Sequence, residues 1–122
     1  MERTQLLFRT WVGSQTLSAG TTTTLTSDYP GGIAVFNYPA IRVVFNNRAV
    51  SGSPVTFKIV LLQDNERIAI LDTLTVQPGS SETETYDIPG LCLAIDATNN
   101  GTADSYVDAF IYGYGPVTGW NC

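Results

Sequence analysis

The run from Asp104 to Tyr114, DSYVDAFIYGY, constrains the fold more than any other stretch of the chain. Alternation along an extended strand puts Val107, Ala109 and Ile111 on one face and Tyr106, Phe110, Tyr112 and Tyr114 on the other. Both faces are apolar. A sheet strand with one wet face does not look like this, so the segment has to be covered twice: by its own core, and by a loop or another molecule over the aromatics.

The balance of residue types agrees with a strand-built chain. There is a single lysine, Lys58, against sixteen threonines, and only 14% of the 122 residues are charged. Surface helices need Lys, Glu, Arg and Ala to solvate their outer side, whereas β-branched residues suit a pleated sheet. One domain of this length buries a core without metal or disulfide staples. The net charge of −5 lacks the basic footprint of a nucleic-acid partner and is repelled by anionic membranes. No apolar run approaches a membrane span, so no membrane insertion is expected. Nor does a basic segment followed by an apolar core open the chain, and a secretory signal peptide is not expected in it.

In chain order, QLLFRTWV comes first, with Leu7 and Trp11 on one parity and Leu6, Phe8 and Val12 on the other. Residues 1–13 read as an N-terminal extension or first strand, a candidate connector to another copy, and residues 14–122 as one sandwich domain. SQTLSAGTTTTLTS reads as a half-exposed strand pair bent around Ala19 and Gly20, or as one long edge strand with a bulge, because consecutive threonines are stiff and pack well on a pleat. SDYPGG is a turn, and Pro39 divides IAVFNY from AIRVVFNN. VTFKIVLLQ and ERIAILDTLTV, joined at Asp64 and Asn65, form the clearest hairpin. Further turns at Gln77–Ser81, Pro89–Gly90 and Asn99–Gly101 set off ETETYDI, LCLAIDA and the last strand. Strands recur roughly every ten residues with no helical period between them. The expected fold is therefore all-β, an antiparallel β-sandwich of about eight strands, most naturally a jelly roll. Regular alternation predicts a core of Phe57, Ile59, Leu61, Ile68, Ile70, Leu74, Leu93 and Ile95.

Chemistry is poorly provided for. Without histidine no Ser-His-Asp triad, Cys-His pair or common histidine metal site can be built, and no nucleophile elbow or phosphate loop occurs. Glu82, Glu84 and Asp87 on one strand read as solvent-facing charge, as do Asp64, Glu66, Asp96 and Asp104 beside turns. Asn100-Gly101-Thr102 matches a glycosylation sequon but reads as a hairpin turn. The chain is not expected to be an enzyme or to carry a cofactor. Cys92 opposes Leu91, Leu93 and Ile95 in parity and faces away from their side; Cys122 is the last residue, and a disulfide involving either is a candidate.

QPGSSETETYDIPGLCLAI, followed by a turn and an aromatic strand in a small threonine-rich sandwich with an N-terminal extension, resembles bacterial surface-fibre subunits, above all the jelly-roll subunits of endospore appendages. The resemblance implies a structural protein on the cell or spore surface that self-assembles into helical, pilus-like fibres. In it, strands augment neighbouring sheets and an N-terminal connector reaches the adjacent subunit. Connector cysteines belong to that pattern, yet residues 1–10 here contain none. The implied contact is then noncovalent, through Leu6, Leu7, Phe8 and Trp11. The partners expected are other copies of the chain, with Tyr106, Phe110, Tyr112 and Tyr114 completing the interface. Two alternatives stand beside this: a carbohydrate-binding jelly-roll module with Trp11, Trp120, Tyr29 or Tyr38 as a stacking platform and calcium nearby, and a phage or capsid decoration protein. Sugar-binding aromatics are isolated on loops, whereas those of the last strand are contiguous, which favours assembly.

Overall fold

The structure is a computed structural model, and it describes residues 2–10, 14–35, 38–87 and 92–116. Ten strands run in chain order: β1 (Glu2–Arg9), β2 (Gln15–Leu17), β3 (Thr22–Thr24), β4 (Ile33–Ala34), β5 (Ala40–Asn47), β6 (Val55–Gln63), β7 (Glu66–Val76), β8 (Ser80–Asp87), β9 (Cys92–Asn99) and β10 (Ser105–Pro116). They build two antiparallel sheets. The first has the order β1-β10-β5-β8 and the second β3-β9-β6-β7. β2 pairs with the start of β10 and β1 with the remainder; β3 and β4 likewise share β9. The ten segments thus occupy eight positions. Apart from the β6–β7 hairpin, the chain crosses to the other sheet from each of these positions to the next, as the two Greek keys of a jelly roll require.

Alternation explains which sheet faces meet. In β5, Ile41, Val43, Phe45 and Asn47 are buried while the residues between them are half-exposed. Val55, Phe57, Ile59 and Leu61 of β6, Leu93, Ile95 and Ala97 of β9, and Val107, Ala109 and Ile111 of β10 complete one core. Phe45 and Phe57 stack across the two sheets, ring centroids 4.3 Å apart and 4° from parallel. The hairpin at Asp64 and Asn65 forms as expected. Both residues take positive φ, 52° and 67°, the pair a two-residue primed turn demands.

One expectation fails for an identifiable reason. Ile68 and Ile70 are 50% and 56% exposed, on the outer face of the second sheet rather than in the core. Bulges reset the phase of β7: Ile59 pairs with Asp72 but Val60 with Ile70, which leaves Leu71 as an extra residue, and a second shift follows at Leu62. Past each bulge the side chains swap faces, so Leu74 packs on the core while Ile70 points out. The segment around Ala19 and Gly20 is two strands either side of a bend rather than one long edge strand, and the two lie in different sheets. β2 joins the first sheet and β3 the second, so the turn at Gly20, with φ of 71°, is a corner between layers. On the second sheet's outer face the threonines meet across strands, Thr22 with Thr98 at 2.8 Å and Thr56 with Thr75 at 3.0 Å.

The two assignments predict opposite mutational responses. Phe57→Ala removes a fully buried ring and should cost about 3–5 kcal/mol in urea unfolding. Ile70→Ala should stay within about 1 kcal/mol, and a loss as large as that of Phe57→Ala would put Ile70 back in the core.

Candidate assembly surface

β10 presents Tyr106, Asp108, Phe110 and Tyr112 to the outside of the first sheet, where no further layer of the described chain lies over them. Phe110 is flanked by Arg9 of β1 and Val44 of β5, and Tyr112 by Leu6 and Arg42. The Phe110 and Tyr112 rings run side by side, centroids 6.3 Å apart at 18°. The Arg9 guanidinium sits 5.2 Å from the centre of the Phe110 ring, and its Nε–H donates to the Thr10 carbonyl at 3.2 Å. Leu6 is 46% exposed, while Val44, Phe110 and Tyr112 are half-buried. The result is an aliphatic and aromatic stripe across three strands, bordered by arginine.

One end of the stripe is fixed by charge. Asp108, on the same face, is held by Arg48 through two hydrogen bonds, Nε to Oδ2 at 2.9 Å and Nη2 to Oδ1 at 3.0 Å, and by Asn46 at 3.1 Å. The Arg48 hydrogen bonds hold the Asp108 carboxyl below the usual carboxylate range; burial opposes them, and Asn46 adds to them. Tyr106 lies half-buried beside this pair. Its backbone N–H donates to Ser51 Oγ at 2.7 Å and its carbonyl accepts from the Arg48 N–H at 2.9 Å, which ties the β5–β6 loop to β10.

The expected interface residues therefore part company. Leu6, Phe110 and Tyr112 share the outer stripe. Phe8 is 7% exposed and belongs to the core, with Leu7 packed against it. The cause is a bulge in β1: Leu6 pairs with Tyr112 and Phe8 with Ile111, so Leu7 is the extra residue. A strand apolar on both parities can thus belong to its own sandwich. Tyr114 pairs through its backbone with Thr4 and Ala40, while Trp11 lies outside the described residues. Of the residues proposed as sugar platforms, Tyr29 is 52% exposed and Tyr38 packs against Gly113, where an added Cβ would come within 2.5 Å of its ring; Trp120 lies outside the described residues. Cys92 is half-buried against Val60, Leu62 and Ala94 on the outer face of the second sheet, and Cys122 lies outside the described residues.

Sequence parity missed the second outer patch, Ile68 and Ile70. The run IAIL is apolar at both parities, which was its only signal.

The sheet edges are protected differently. Glu82 and Glu84 of β8 pair with Phe45 and Val43, so they point to the core side of an overhanging edge strand. Nearby, the Tyr86 hydroxyl donates to Asp72 Oδ2 at 2.6 Å and links β8 to β7 across the sheets. Burial, then this hydrogen bond, raises the Tyr86 phenol far above its ordinary value. Among the described residues no group of three His, Cys, Asp or Glu is arranged to hold a metal ion, and no helix is long and apolar enough to cross a membrane.

Because the native Asp108 pKa is depressed, its contribution to stability is present above the unfolded value of about 3.9 and is lost as pH falls through the lower native value. Asp108→Asn should flatten the loss of thermal stability below pH 4. A variant whose acid limb superimposes on that of the parent would show that the pair does not report on folding.

No protein-family model matches the sequence, and no curated protein matches it. Among solved structures the chain is similar to one described as "Bacillus endospore appendages form a novel family of disulfide-linked pili", with 15% identity, a TM-score of 0.53, and coverage of 97% of this chain and 88% of that one. It is also similar to the PBSX exported protein XepA, with 11% identity and a TM-score of 0.66, over 95% of this chain and 38% of that one. The chain thus spans well under half of XepA. At such identities the likeness concerns the fold, and the sandwich described above is shared with an endospore-appendage pilus protein and an exported protein.

Proposed function

We propose that this chain is a structural subunit that self-assembles on a cell or spore surface into a pilus-like fibre, its copies meeting through the outer face of the first sheet and through strand edges. The observation that carries the reading is the Leu6–Val44–Phe110–Tyr112 stripe, which lies on the centre of a sheet and has no further layer of the described residues over it. A half-exposed aromatic or aliphatic side chain gains up to about 1.5–3 kcal/mol when fully covered, so a few of them offset much of the cost of ordering one subunit on the next. Phe110 and Tyr112 add little entropy cost because their rings already rest on each other and on Arg9.

Arrangement of the edges supports an open polymer rather than a sealed monomer. β1 and β8 bound the first sheet, and β3 and β7 the second. Bulges in β1 and β7 and the core-side Glu82 and Glu84 of β8 discourage indiscriminate pairing, leaving a geometrically chosen partner as the favoured one. A contact between two different surfaces, repeated head to tail, makes a fibre. The absence of histidine from the whole chain is in keeping with a structural role rather than acid-base catalysis.

The reading predicts that purified protein forms fibres in negative-stain electron microscopy. Leu6→Asp combined with Tyr112→Glu should abolish them and give a folded monomer by sedimentation, with unchanged far-ultraviolet circular dichroism. A parent chain that stays monomeric, or a double variant that forms the same fibres, contradicts it.

A further inference from the structure

Away from the assembly stripe, the loop between β3 and β4 holds an aromatic ring between two clefts. Three short turns stiffen the loop: Ser27 N–H donates to the Thr24 carbonyl at 3.2 Å, Tyr29 N–H to Thr26 at 2.9 Å, and Gly32 N–H to Tyr29 at 2.7 Å. Tyr29 rests on the edge of the core, its ring 6.1 Å from that of Phe8 and 86° to it, yet it is 52% exposed. Its hydroxyl meets no hydrogen-bond partner among the described residues. A large side chain pinned at one edge and open elsewhere is a preorganised contact surface.

The clefts on its two sides measure about 440 and 450 Å³ and share Thr24, Ser27 and Tyr29. Each falls within the size range of small-molecule sites, about 300–1,000 Å³. They adjoin at these three residues, as two arms meeting at Tyr29. Gln15 and Asp28 line one arm, and Asn65 and Glu66 the other. The cations nearby are already engaged, Arg67 by Asp96 through two hydrogen bonds and Arg9 over Phe110. What is left for a ligand is amide, carboxylate and hydroxyl groups beside apolar walls, Phe8 and Leu25 in one cleft and Leu62 and Ala94 in the other, with the Tyr29 ring between them.

That chemistry selects its ligand. Two carboxylates with no uncommitted cation disfavour an anion, and carboxylates and amides set among apolar walls suit a ligand with both an apolar face and hydroxyls better than a purely apolar one. A neutral polyhydroxylated ring satisfies both parts: its C–H face covers the tyrosine while its hydroxyls bridge amide and carboxylate oxygens. We infer that the pair of clefts meeting at Tyr29 is a saccharide-binding site for a neutral glycan of at least two residues, one in each arm. This inference is independent of the assembly reading, since the stripe of Leu6 and Tyr112 takes no part in it.

The test is calorimetric titration of the purified chain with cellohexaose, laminarihexaose, maltohexaose and chitohexaose, each to about 5 mM, which reaches dissociation constants of about 1 mM. At least one should bind, Tyr29→Ala should weaken that binding tenfold or more, and Tyr29→Phe should retain most of it. Gln15→Ala should weaken it to a smaller extent, with melting temperatures unchanged throughout. The Leu6→Asp/Tyr112→Glu chain should bind as the parent does, which separates saccharide binding from assembly. Silence of all four glycans, or equal binding by Tyr29→Ala, overturns the inference.

Discussion

The stack of Phe45 on Phe57 joins the two sheets at their centre, and most of the structure depends on the register it fixes. Phe45 lies in β5 of the first sheet and Phe57 in β6 of the second, and neither has any exposure. Because side chains alternate with a period of two, seating these rings commits Ile41 and Val43 on one side and Val55, Ile59 and Leu61 on the other to the same interior. Around this centre, buried amides hold the loops at one end. Asn47 Nδ2 donates to the Ser53 and Val76 carbonyls, at 2.9 and 3.0 Å, and Asn99 Nδ2 to those of Leu17 and Ala103, at 3.0 and 2.9 Å. Each amide replaces water that those carbonyls would otherwise need, so the apolar interior can extend to the ends of the strands.

Much of this was legible in the chain. Alternation in AIRVVFNN and VTFKIVLLQ predicts the inner faces of β5 and β6, and Asp64-Asn65 predicts the turn that follows. Sequence parity fails where a strand gains a residue. Leu7 and Leu71 are each one residue too many for their partner strand, and nothing in QLLFRTWV or ERIAILDTLTV marks the place, because apolar residues stand at both parities. A bulge is chosen by the partner strand and by twist, which are properties of the assembled sheet. The same limit hid the split of Leu6 from Phe8. Both looked like one apolar connector, yet one faces outward beside Tyr112 and the other sits under Tyr29. The two-sided character of β10, by contrast, was plain: its inner face is sealed and its outer face carries Phe110 and Tyr112.

A sandwich this small cannot hide every apolar residue, and where the surplus lies is informative. Among the described residues it gathers on two opposite outer faces, the Leu6–Tyr112 stripe and the Ile68–Ile70 patch, with Val50 and Tyr29 exposed singly on loops, while the exposed strand β8 is polar throughout except for Tyr86. Scattered exposure would need no explanation. A contiguous stripe across three strands, with its aromatic rings already stacked, has the character of a contact waiting for its other half. Tyr29 differs in kind, being single, on a stiff loop and surrounded by amides and carboxylates.

The central claim, that the outer face of the first sheet is covered by another copy, is tested most directly by hydroxyl-radical footprinting read by mass spectrometry, on assembled protein and on protein dissociated by dilution. The account predicts that oxidation of Leu6, Phe110 and Tyr112 falls severalfold on assembly while that of Tyr29 is unchanged. Equal oxidation of the stripe in the two states would contradict it.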